Sequence, residues 1–450
     1  MVGNIPGNLA VDAALCQVIN GYRANYLVFF LRRFEDECPP GHKGGWFNIS
    51  SVTGRPYDHR CCYSWTDGRS LGELSVSHLA GLAAPDRLER YATHLRDVLL
   101  ERHALNGYFP HVVGDETNLA EDHPMNVYLG AGESSFSHVF VLNGLLQYGL
   151  VFGDGQALAL GRHLLEELEQ ALQEDRFLEG AAPRPSGQRA QGPFMISLGA
   201  IADVLETLAR KLGRDSEAFP RDAEPLVSLG KRCLSYILGA HHRAEDHAFW
   251  EVSQNGEALR NDQGQAVTDP GHTIEFTGFA ARFAAFLEPE QRDEVLRTCR
   301  AILLWAARSG FHPTRDLIYK NVDRDTGTPI RNEMVPDISR VVSREVFARH
   351  FGGTSQPVSI ATFPWWVPME LLAAASILRH GDGSGEVDAF ALRAVRGIFE
   401  YYRNERIDGL CYQNIGDGFF EYIDVPPATA TLDLMHSHRS MRVFLREVGV

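Results

Sequence analysis

Apolar residues recur at three- and four-residue spacing through most of the chain, which is the periodicity of one buried face of an α-helix. In the stretch 194–213, for example, Met195, Leu198, Ile201, Leu205 and Leu208 share such a face. The segments with this pattern are 8–34, 68–82, 86–104, 134–152, 156–174, 194–213, 223–239, 272–286, 290–308, 361–379, 387–403 and 430–447. The chain is therefore predicted to be mostly α-helical.

Longer segments rich in glycine, aspartate and aromatic residues separate alternate helices, and their apolar and polar residues alternate as in short strands. Examples are 44–48, 107–111, 249–252, 317–324 and 418–424. A helix pair with a strand-like segment thus recurs about six times, which indicates a closed repeat architecture. The predicted fold is an (α/α)6 barrel with short β-hairpins in the loops at one end. No linker-like segment divides the chain, so residues 1–450 are predicted to form a single domain.

The composition is that of an ordinary globular protein, with 44% hydrophobic and 22% charged residues. The net charge of -15 leaves no basic excess to neutralise phosphates, so neither nucleic acid nor an anionic membrane is expected as a partner. No apolar run approaches the roughly 20 residues of a membrane span, and residues 1–15 lack the features of a signal peptide. The seven scattered cysteines fit reduced thiols, so a cytoplasmic location is expected.

The stretch 269–276, DPGHTIEF, is the clearest candidate for chemistry. Pro270 and Gly271 are typical of a loop that opens a helix. On that helix His272 and Glu275 are three residues apart and share a face. A carboxylate beside an imidazole orients the ring and raises its basicity, which prepares a general base. The same residues also suit a plain helix start, with a capping histidine and a solvated first-turn glutamate.

Four segments resemble motifs of the N-acylglucosamine 2-epimerase family, which includes cellobiose 2-epimerases and isomerases acting on mannose. PGHTIEF at 270–276 resembles the family's Pro-Gly-His-x-Ile-Glu motif. Residues 57–69, with Tyr57, Trp65 and Arg69, resemble its Tyr-Asp…Trp-x-x-Gly-Arg segment. FPWWVPME at 363–370 resembles Pro-Trp-Trp-x-Gln-Ala-Glu, and HSHR at 436–439 resembles His-x-x-Arg. The motifs stand in the family's order along nearly the whole chain.

The resemblance implies a sugar enzyme that needs neither cofactor nor metal. His272 and His436 would exchange protons with the carbon beside the sugar carbonyl, and Arg69 would hold the enediolate oxygens. The resemblance also places at the sugar the residues Tyr57, Trp65, Glu275, Trp365, Glu370 and Arg439. Taken singly, a helix-end histidine, a surface arginine and core tryptophans are the ordinary structural interpretations of such residues.

Two positions depart from the family pattern. Ile196 or a neighbour replaces a histidine usual on the sixth helix, and Pro368-Met369 replaces Gln-Ala before Glu370. Both changes bear on contacts with the substrate, and the loss of the histidine favours an aldose–ketose isomerase acting on a small monosaccharide such as mannose. The alternatives are 2-epimerisation of N-acetylglucosamine, glucose or cellobiose, a glycoside hydrolase or lyase on the same barrel, and sugar binding without catalysis. The expected partner is a small sugar, and the oligomeric state is open, a homodimer included.

Overall fold

A computed structural model describes residues 13–37, 42, 44–45, 49, 51, 54, 61–114, 129–180, 184–334, 358–417, 422–423 and 434–449. The α-helices in this part of the chain are α1 Ala13–Glu37, α2 Ser64–Leu79, α3 Pro85–Asn106, α4 Phe136–Phe152, α5 Gly155–Gln173, α6 Gly192–Leu212, α7 Ala218–Ala240, α8 Pro270–Ala284, α9 Pro289–Gly310, α10 Trp366–Leu378, α11 Glu386–Gly397 and α12 Ser440–Glu447. Two π-helical turns, Ile398–Tyr402 and Met435–Arg439, follow α11 and precede α12. Each predicted helix overlaps one of these, which confirms the mostly helical class.

The even-numbered helices form an inner ring that the odd-numbered helices cover from outside. Along the ring, α2 packs on α4, α4 on α6, α6 on α8, α8 on α10 and α10 on α12, and the π-helical turn before α12 returns to α2. Of the outer helices, α3 lies on α2, α5 on α4, α7 on α6, α9 on α8, α11 on α10 and α1 on α12. This arrangement is the (α/α)6 barrel that the repeat pattern predicted.

Short strands connect successive loops at one end of the barrel. The strands are Cys61–Tyr63, Val112–Gly114, Ser134–Ser135, Phe177–Leu178, Gln188–Ala190, Val252–Gln254, Glu257–Ala258, Val267–Thr268, Val322–Asp323, Asn332–Met334, Val358–Ile360, Thr362–Pro364, Asn414–Gly416 and Tyr422–Ile423. In five places the strand before an inner helix pairs with the strand after the next outer helix. The strands therefore pair across two helices rather than as the local hairpins expected from the sequence. This strand pairing brings the loops together around the N-terminal ends of the inner helices.

The helix predicted over 361–379 begins later than the periodicity indicated. Thr362–Pro364 is a strand paired with Asn414–Gly416, and α10 starts at Trp366. Pro364 has no N–H for a helix and disfavours a helical conformation at Phe363, so this segment stays extended. The delayed start places the two tryptophans of the motif at the mouth of the inner ring.

One large cluster of buried apolar side chains, reaching from Leu15 to Leu445, fills the space between and inside the rings. Helix α6 is long and apolar enough to cross a membrane by length and hydropathy, but 78% of that window is buried among the other helices. An inner helix of a barrel has the same composition, because it is surrounded by protein on all sides.

A group of buried charges lies inside the ring. Arg282 of α8 is 4% exposed and donates to Glu206 at 2.9 and 3.0 Å and to Asp203, both on α6. Arg446 of α12 donates to the same Glu206 at 2.8 Å. Because both arginines neutralise it, the pKa of Glu206 lies well below its usual range despite burial, which alone would raise it. Three inner helices are therefore joined by ion pairs, and those of the buried Arg282 are little screened by water.

Helices α2 and α4 cross closely at Gly68. A Cβ atom at this position would lie 2.6 Å from the backbone carbonyl carbon of Phe140 and 2.7 Å from the amide nitrogen of Val141. Backbone atoms cannot yield as the end of a flexible side chain does, so we expect Gly68→Ala to destabilise the protein by about 1–3 kcal/mol. Denaturant unfolding measures the change.

Gly21→Ala is the matched control for this prediction. Gly21 is exposed in the interior of α1, and no atom lies within 4 Å of its hypothetical Cβ. Alanine has the higher helix propensity, so the control is expected to be neutral or to stabilise by up to about 1 kcal/mol. Equal stabilities of the two variants would contradict the close approach at Gly68.

Candidate active site

A cavity of about 230 Å³ opens where the inner helices begin. It is smaller than the roughly 300–1,000 Å³ of pockets for drug-sized ligands, which suits a small molecule. Its wall consists of Trp65, Arg69, Phe136, Phe140, Gly192, Met195, Ile196, His272, Glu275, Lys320, Trp365, Trp366 and His436. Every inner helix, or the turn before it, thus contributes to the wall.

His272 lies in the first turn of α8. Asp269 caps this helix, since its carboxylate accepts from the N–H groups of Gly271 at 2.8 Å and His272 at 3.2 Å, and Pro270 occupies the first helical position. The imidazole Nδ1 is 3.0 Å from Glu251 Oε2 and 3.3 Å from Asp269 Oδ2. Burial would lower the pKa of His272, and the positive charge of Lys320 acts in the same direction. The negative charges of Asp269 and Glu251 outweigh both effects, so the pKa of His272 is raised.

Glu251, rather than Glu275, orients this imidazole, so the pairing inferred from the three-residue spacing is wrong. Glu251 precedes the strand Val252–Gln254, which the pairing with Gln188–Ala190 brings to the start of α6. Its carboxylate accepts from Gln191 Nε2 at 3.3 and 3.4 Å and from the Asp269 N–H at 3.3 Å. A glutamate 21 positions before the histidine gives no periodic signal, and only the strand pairing brings it close.

Lys320 is a wall residue that the sequence analysis missed. Its ammonium group contacts the Asp269 carboxylate and lies 5.2 Å from the ring centroid of Trp366. Burial would raise the pKa of Asp269, yet the charges of His272 and Lys320 lower it. Asp269 therefore stays ionised and fixes both the helix start and the lysine.

Replacing Glu251 by glutamine is expected to lower the pKa of His272. The amide keeps the shape of the side chain but removes a negative charge that favours the imidazolium form. The ring then loses its proton at a lower pH than in the unmodified protein. An NMR titration of the His272 ring protons measures the shift without any substrate. Glu257→Gln, on an exposed strand residue, is the matched control and leaves the midpoint unchanged; an unmoved midpoint in Glu251→Gln contradicts the pairing.

His436 lies in the π-helical turn Met435–Arg439 that precedes α12. Such turns are frequent at functional sites, because the extra residue redirects side chains. The His436 Nδ1 atom is 2.9 Å from Glu370 Oε1, which also accepts from Arg439 Nη2 at 2.6 Å and Ser440 Oγ at 2.9 Å. Burial would raise the pKa of Glu370, but the Arg439 charge and the hydrogen bonds lower it to about 2. An ionised glutamate therefore holds the second imidazole.

Glu275 is buried in the wall beside His436. Its Oε1 atom is 3.8 Å from His436 Nδ1 and has no hydrogen-bond partner among the described residues. Burial raises the pKa of Glu275, and the negative charge of Glu370 raises it further. The charges of His436 and Arg439 act in the opposite direction but do not cancel the rise. A buried carboxyl group without a partner among the described residues is placed to form a hydrogen bond with a bound hydroxyl.

The side chains of Glu275, Glu370 and His436 offer three ligand atoms within 4.8 Å of one another, which is compatible with a metal ion. However, Glu370 Oε1 already accepts from three donors, and one of them is the Arg439 guanidinium. A cation bound there would be repelled by that fixed positive charge. The geometry therefore favours an acid–base group over a metal centre at these residues.

Aromatic rings line the space around the imidazoles. The Trp366 ring centroid is 5.4 Å from that of His272 and 5.4 Å from that of His436. Trp365 meets His436 edge to face at 5.8 Å, and its buried Nε1 has no hydrogen-bond partner among the described residues. The Arg69 guanidinium carbon lies 3.8 Å from the Phe140 ring centroid. The cavity therefore offers flat apolar faces beside charged and hydrogen-bonding groups, a combination that suits a sugar.

The sequence-predicted residues fall into three groups. The structure brings His272, His436, Arg69, Glu275, Trp65 and Trp365 together on the cavity wall. Glu370 and Arg439 lie outside the wall, where Glu370 bonds to His436 and to Arg439, and their contact with a sugar stays a prediction. Tyr57 lies outside the described residues. Ile196, the departure from the family pattern, is itself a wall residue.

The chain shares its fold with sugar isomerases and epimerases. No family model and no curated protein matches the sequence. A D-mannose isomerase structure gives a TM-score of 0.67, with 14% identity over 98% of this chain and 100% of that chain. A cellobiose 2-epimerase from Bacillus thermoamylovorans gives a TM-score of 0.65, with 11% identity over 96% of this chain and 99% of that chain. A cellobiose 2-epimerase from Spirochaeta thermophila gives a TM-score of 0.63, with 15% identity over 97% of each chain. The comparisons thus confirm the (α/α)6 barrel fold that the motifs implied.

Proposed function

We propose that this protein belongs to the N-acylglucosamine 2-epimerase family and isomerises a mannose-like monosaccharide from aldose to ketose. The observation that carries the proposal is the presence of two imidazoles, His272 and His436, on one small cavity. Each is held at Nδ1 by a carboxylate, Glu251 or Glu370, at 3.0 and 2.9 Å. A carboxylate at one ring nitrogen orients the imidazole and fixes its tautomer, which suits proton exchange with a bound molecule.

The chemistry follows from the acidity of a C–H bond beside a carbonyl. After the sugar ring opens, one imidazole takes the C2 proton, and the electron pair moves towards O1 to give an enediolate. Arg69 supplies positive charge to the oxygens of this intermediate. Return of a proton to C1, with transfer of the O2 proton to O1, gives a ketose. Return to C2 from the opposite face gives the 2-epimer, which is the second outcome of the same machinery.

Two buried polar atoms on the wall support a hydroxyl-rich ligand. Trp365 Nε1 is a donor and Glu275 Oε1 an acceptor or acid, and neither has a partner among the described residues. Both side chains are at most 2% exposed, so leaving these atoms unpaired is costly. Hydroxyl groups of a sugar satisfy both atoms at once, and the cavity volume favours one sugar ring over two.

Incubation in heavy water tests the proposal. Mannose, glucose, fructose, N-acetylglucosamine and cellobiose are supplied singly, and NMR gives the product and the position of deuterium. Mannose is expected to give fructose with deuterium at C1. Deuterium at C2 with an inverted centre would assign the 2-epimerase outcome. Absence of both product and deuterium with every sugar would overturn the proposal.

A further inference from the structure

Besides the two histidines, the described part of the cavity wall carries two cationic side chains, Arg69 and Lys320. Arg69 is on α2, and its guanidinium stacks on the Phe140 ring of the neighbouring α4. Lys320 follows α9 and contacts the residue that caps α8, the helix of His272. Helices α2 and α8 are not adjacent in the ring, so Lys320 is the cation on the His272 side of the cavity.

Backbone hydrogen bonds hold Lys320 at this position. Its N–H group donates to the carbonyl oxygen of Thr362 at 2.7 Å, in the strand that precedes α10. Two residues further on, the strand Val322–Asp323 pairs with Val267–Thr268, which leads into α8. The backbone of Lys320 is therefore attached to the beginnings of two inner helices, and its side chain keeps 32% exposure on the cavity wall.

The two oxygens of the Asp269 carboxylate have separate contacts. Oδ1 accepts from the N–H groups of Gly271 and His272 and thereby caps α8. Oδ2 contacts the Lys320 ammonium and is 3.3 Å from His272 Nδ1. The helix cap therefore does not require Lys320, whereas the lysine and the imidazole meet at one carboxylate oxygen.

The Lys320 ammonium has donors to spare. It carries three N–H groups, and its hydrogen bonds within the described part of the chain go to Asp269 alone. Two donors are thus open to a ligand. The ammonium lies 5.2 Å from the Trp366 ring centroid, and the His272 ring lies 5.4 Å from the same centroid. A ligand beside this indole can therefore reach both the imidazole and the ammonium.

Building on the proposed isomerase function, we infer that Lys320 binds the substrate and donates a hydrogen bond to the oxygen on the carbon that His272 serves. This oxygen gains negative charge in the enediolate, so the bond is stronger in the transition state than in the bound sugar. Asp269 holds the ammonium in place, and Arg69 supplies charge from another side of the cavity. The same ammonium opposes protonation of His272 and so limits the rise of its pKa.

The test compares Lys320→Met with the unmodified full chain, using the sugar that the unmodified chain converts. Deuterium exchange is expected to fall about 10²–10³-fold, the effect of removing one donor to a developing oxyanion. Calorimetric binding of the sugar is expected to weaken by about tenfold at most, since the bond to a neutral hydroxyl is weaker. A loss of binding as large as the loss of rate would overturn the role in the enediolate.

Two further variants separate the charge from the fold. Lys320→Arg retains a cationic donor and is expected to exchange within about tenfold of the unmodified chain. Lys231→Met, at an exposed position of α7, is the matched control and is expected to leave exchange unchanged. If Lys320→Met does not fold, as judged by circular dichroism, Lys320→Gln takes its place. Equal rates in the folded variant without the charge and in the unmodified chain would overturn the inference alone.

The pH dependence separates contact with the sugar from an electrostatic effect on His272. Without the ammonium, the NMR titration midpoint of His272 rises, and the increase of the exchange rate with pH moves upwards with it, because only the neutral imidazole accepts a proton. The rate deficit is expected to persist above the new midpoint. Full recovery of the rate there would overturn the hydrogen bond to the sugar. Absence of exchange in the unmodified chain with every sugar would instead overturn the isomerase proposal, and this inference with it.

Discussion

Replacing His436 by asparagine is expected to reduce deuterium incorporation into the sugar by about 10²–10⁴-fold, and His272→Asn to do the same. A positioned general acid or base contributes a factor of this size, and each imidazole is the proposed proton carrier at one position of the reacting sugar. Asparagine approximates the shape of the ring edge and retains a hydrogen bond to Glu370 or Glu251, so both variants are expected to fold. The rate of exchange at C1 and C2, followed by NMR in heavy water, measures the loss.

The control for this pair is His163→Asn. His163 is on α5, and its side chain is 56% exposed beside Glu167, away from the cavity wall. Its replacement is expected to leave exchange unchanged. His438 is unsuitable as a control, because its buried Nδ1 bonds to Glu73 Oε1 at 2.6 Å and its loss would disturb the fold. Full turnover in either His272→Asn or His436→Asn would remove that histidine from the mechanism.

Replacing Arg282 by methionine is expected to destabilise the protein by about 3–5 kcal/mol. The substitution preserves most of the apolar volume but leaves Asp203 and part of the Glu206 charge buried without their partner. Denaturant unfolding at neutral pH measures the change. Arg308→Met is the matched control, since Arg308 pairs with Glu386 at the surface with 58% of its side chain exposed. Solvent screening reduces the contribution of such a surface ion pair to stability to about 0–1 kcal/mol. A similar loss of stability in both variants would contradict the buried role of Arg282.

Buried ion pairs also determine how stability responds to acid. The pKa values of Glu206, Glu370 and Glu73 are lowered in the folded chain, those of Glu370 and Glu73 to about 2. A depressed carboxyl pKa contributes stability that is complete above the pKa of the unfolded chain and is lost as the pH falls towards the folded value. Stability is therefore expected to fall between about pH 5 and pH 2, and Arg282→Met flattens this dependence by raising the pKa of Glu206.

The barrel fold could be predicted from the sequence because the patterns that indicate it are local. Periodicity within each helix and the order of turns between helices require no knowledge of distant contacts, and α3, predicted over 86–104, spans Pro85–Asn106. The two histidines were also found, since each lies in a short motif. The fold that the motifs implied is confirmed by the comparisons, whereas the roles of the individual residues stay predictions.

The errors concern side-chain pairings across the barrel. Spacing paired His272 with Glu275, but strand pairing brings Glu251 to His272, and the ring brings Glu275 to His436. The π-helical turn at Met435–Arg439 sets where His436 points, and no periodic pattern in the sequence signals it. The bond between Glu370 and Arg439, both predicted as sugar contacts, is a further pairing that the local pattern did not indicate. Long-range partners of charged groups depend on the closed ring and are invisible to local patterns.

Trp366 lies beside both imidazoles, and this arrangement gives the cavity its own optical signal. A protonated imidazole near an indole withdraws electron density from its excited state and dims its fluorescence, whereas a neutral ring does so far less. With both histidines 5.4 Å from the same indole, a change at either ring is expected to alter the emission of Trp366. Fluorescence lost on replacing Trp366 by phenylalanine is therefore expected to give a signal specific to the cavity, before any sugar is identified.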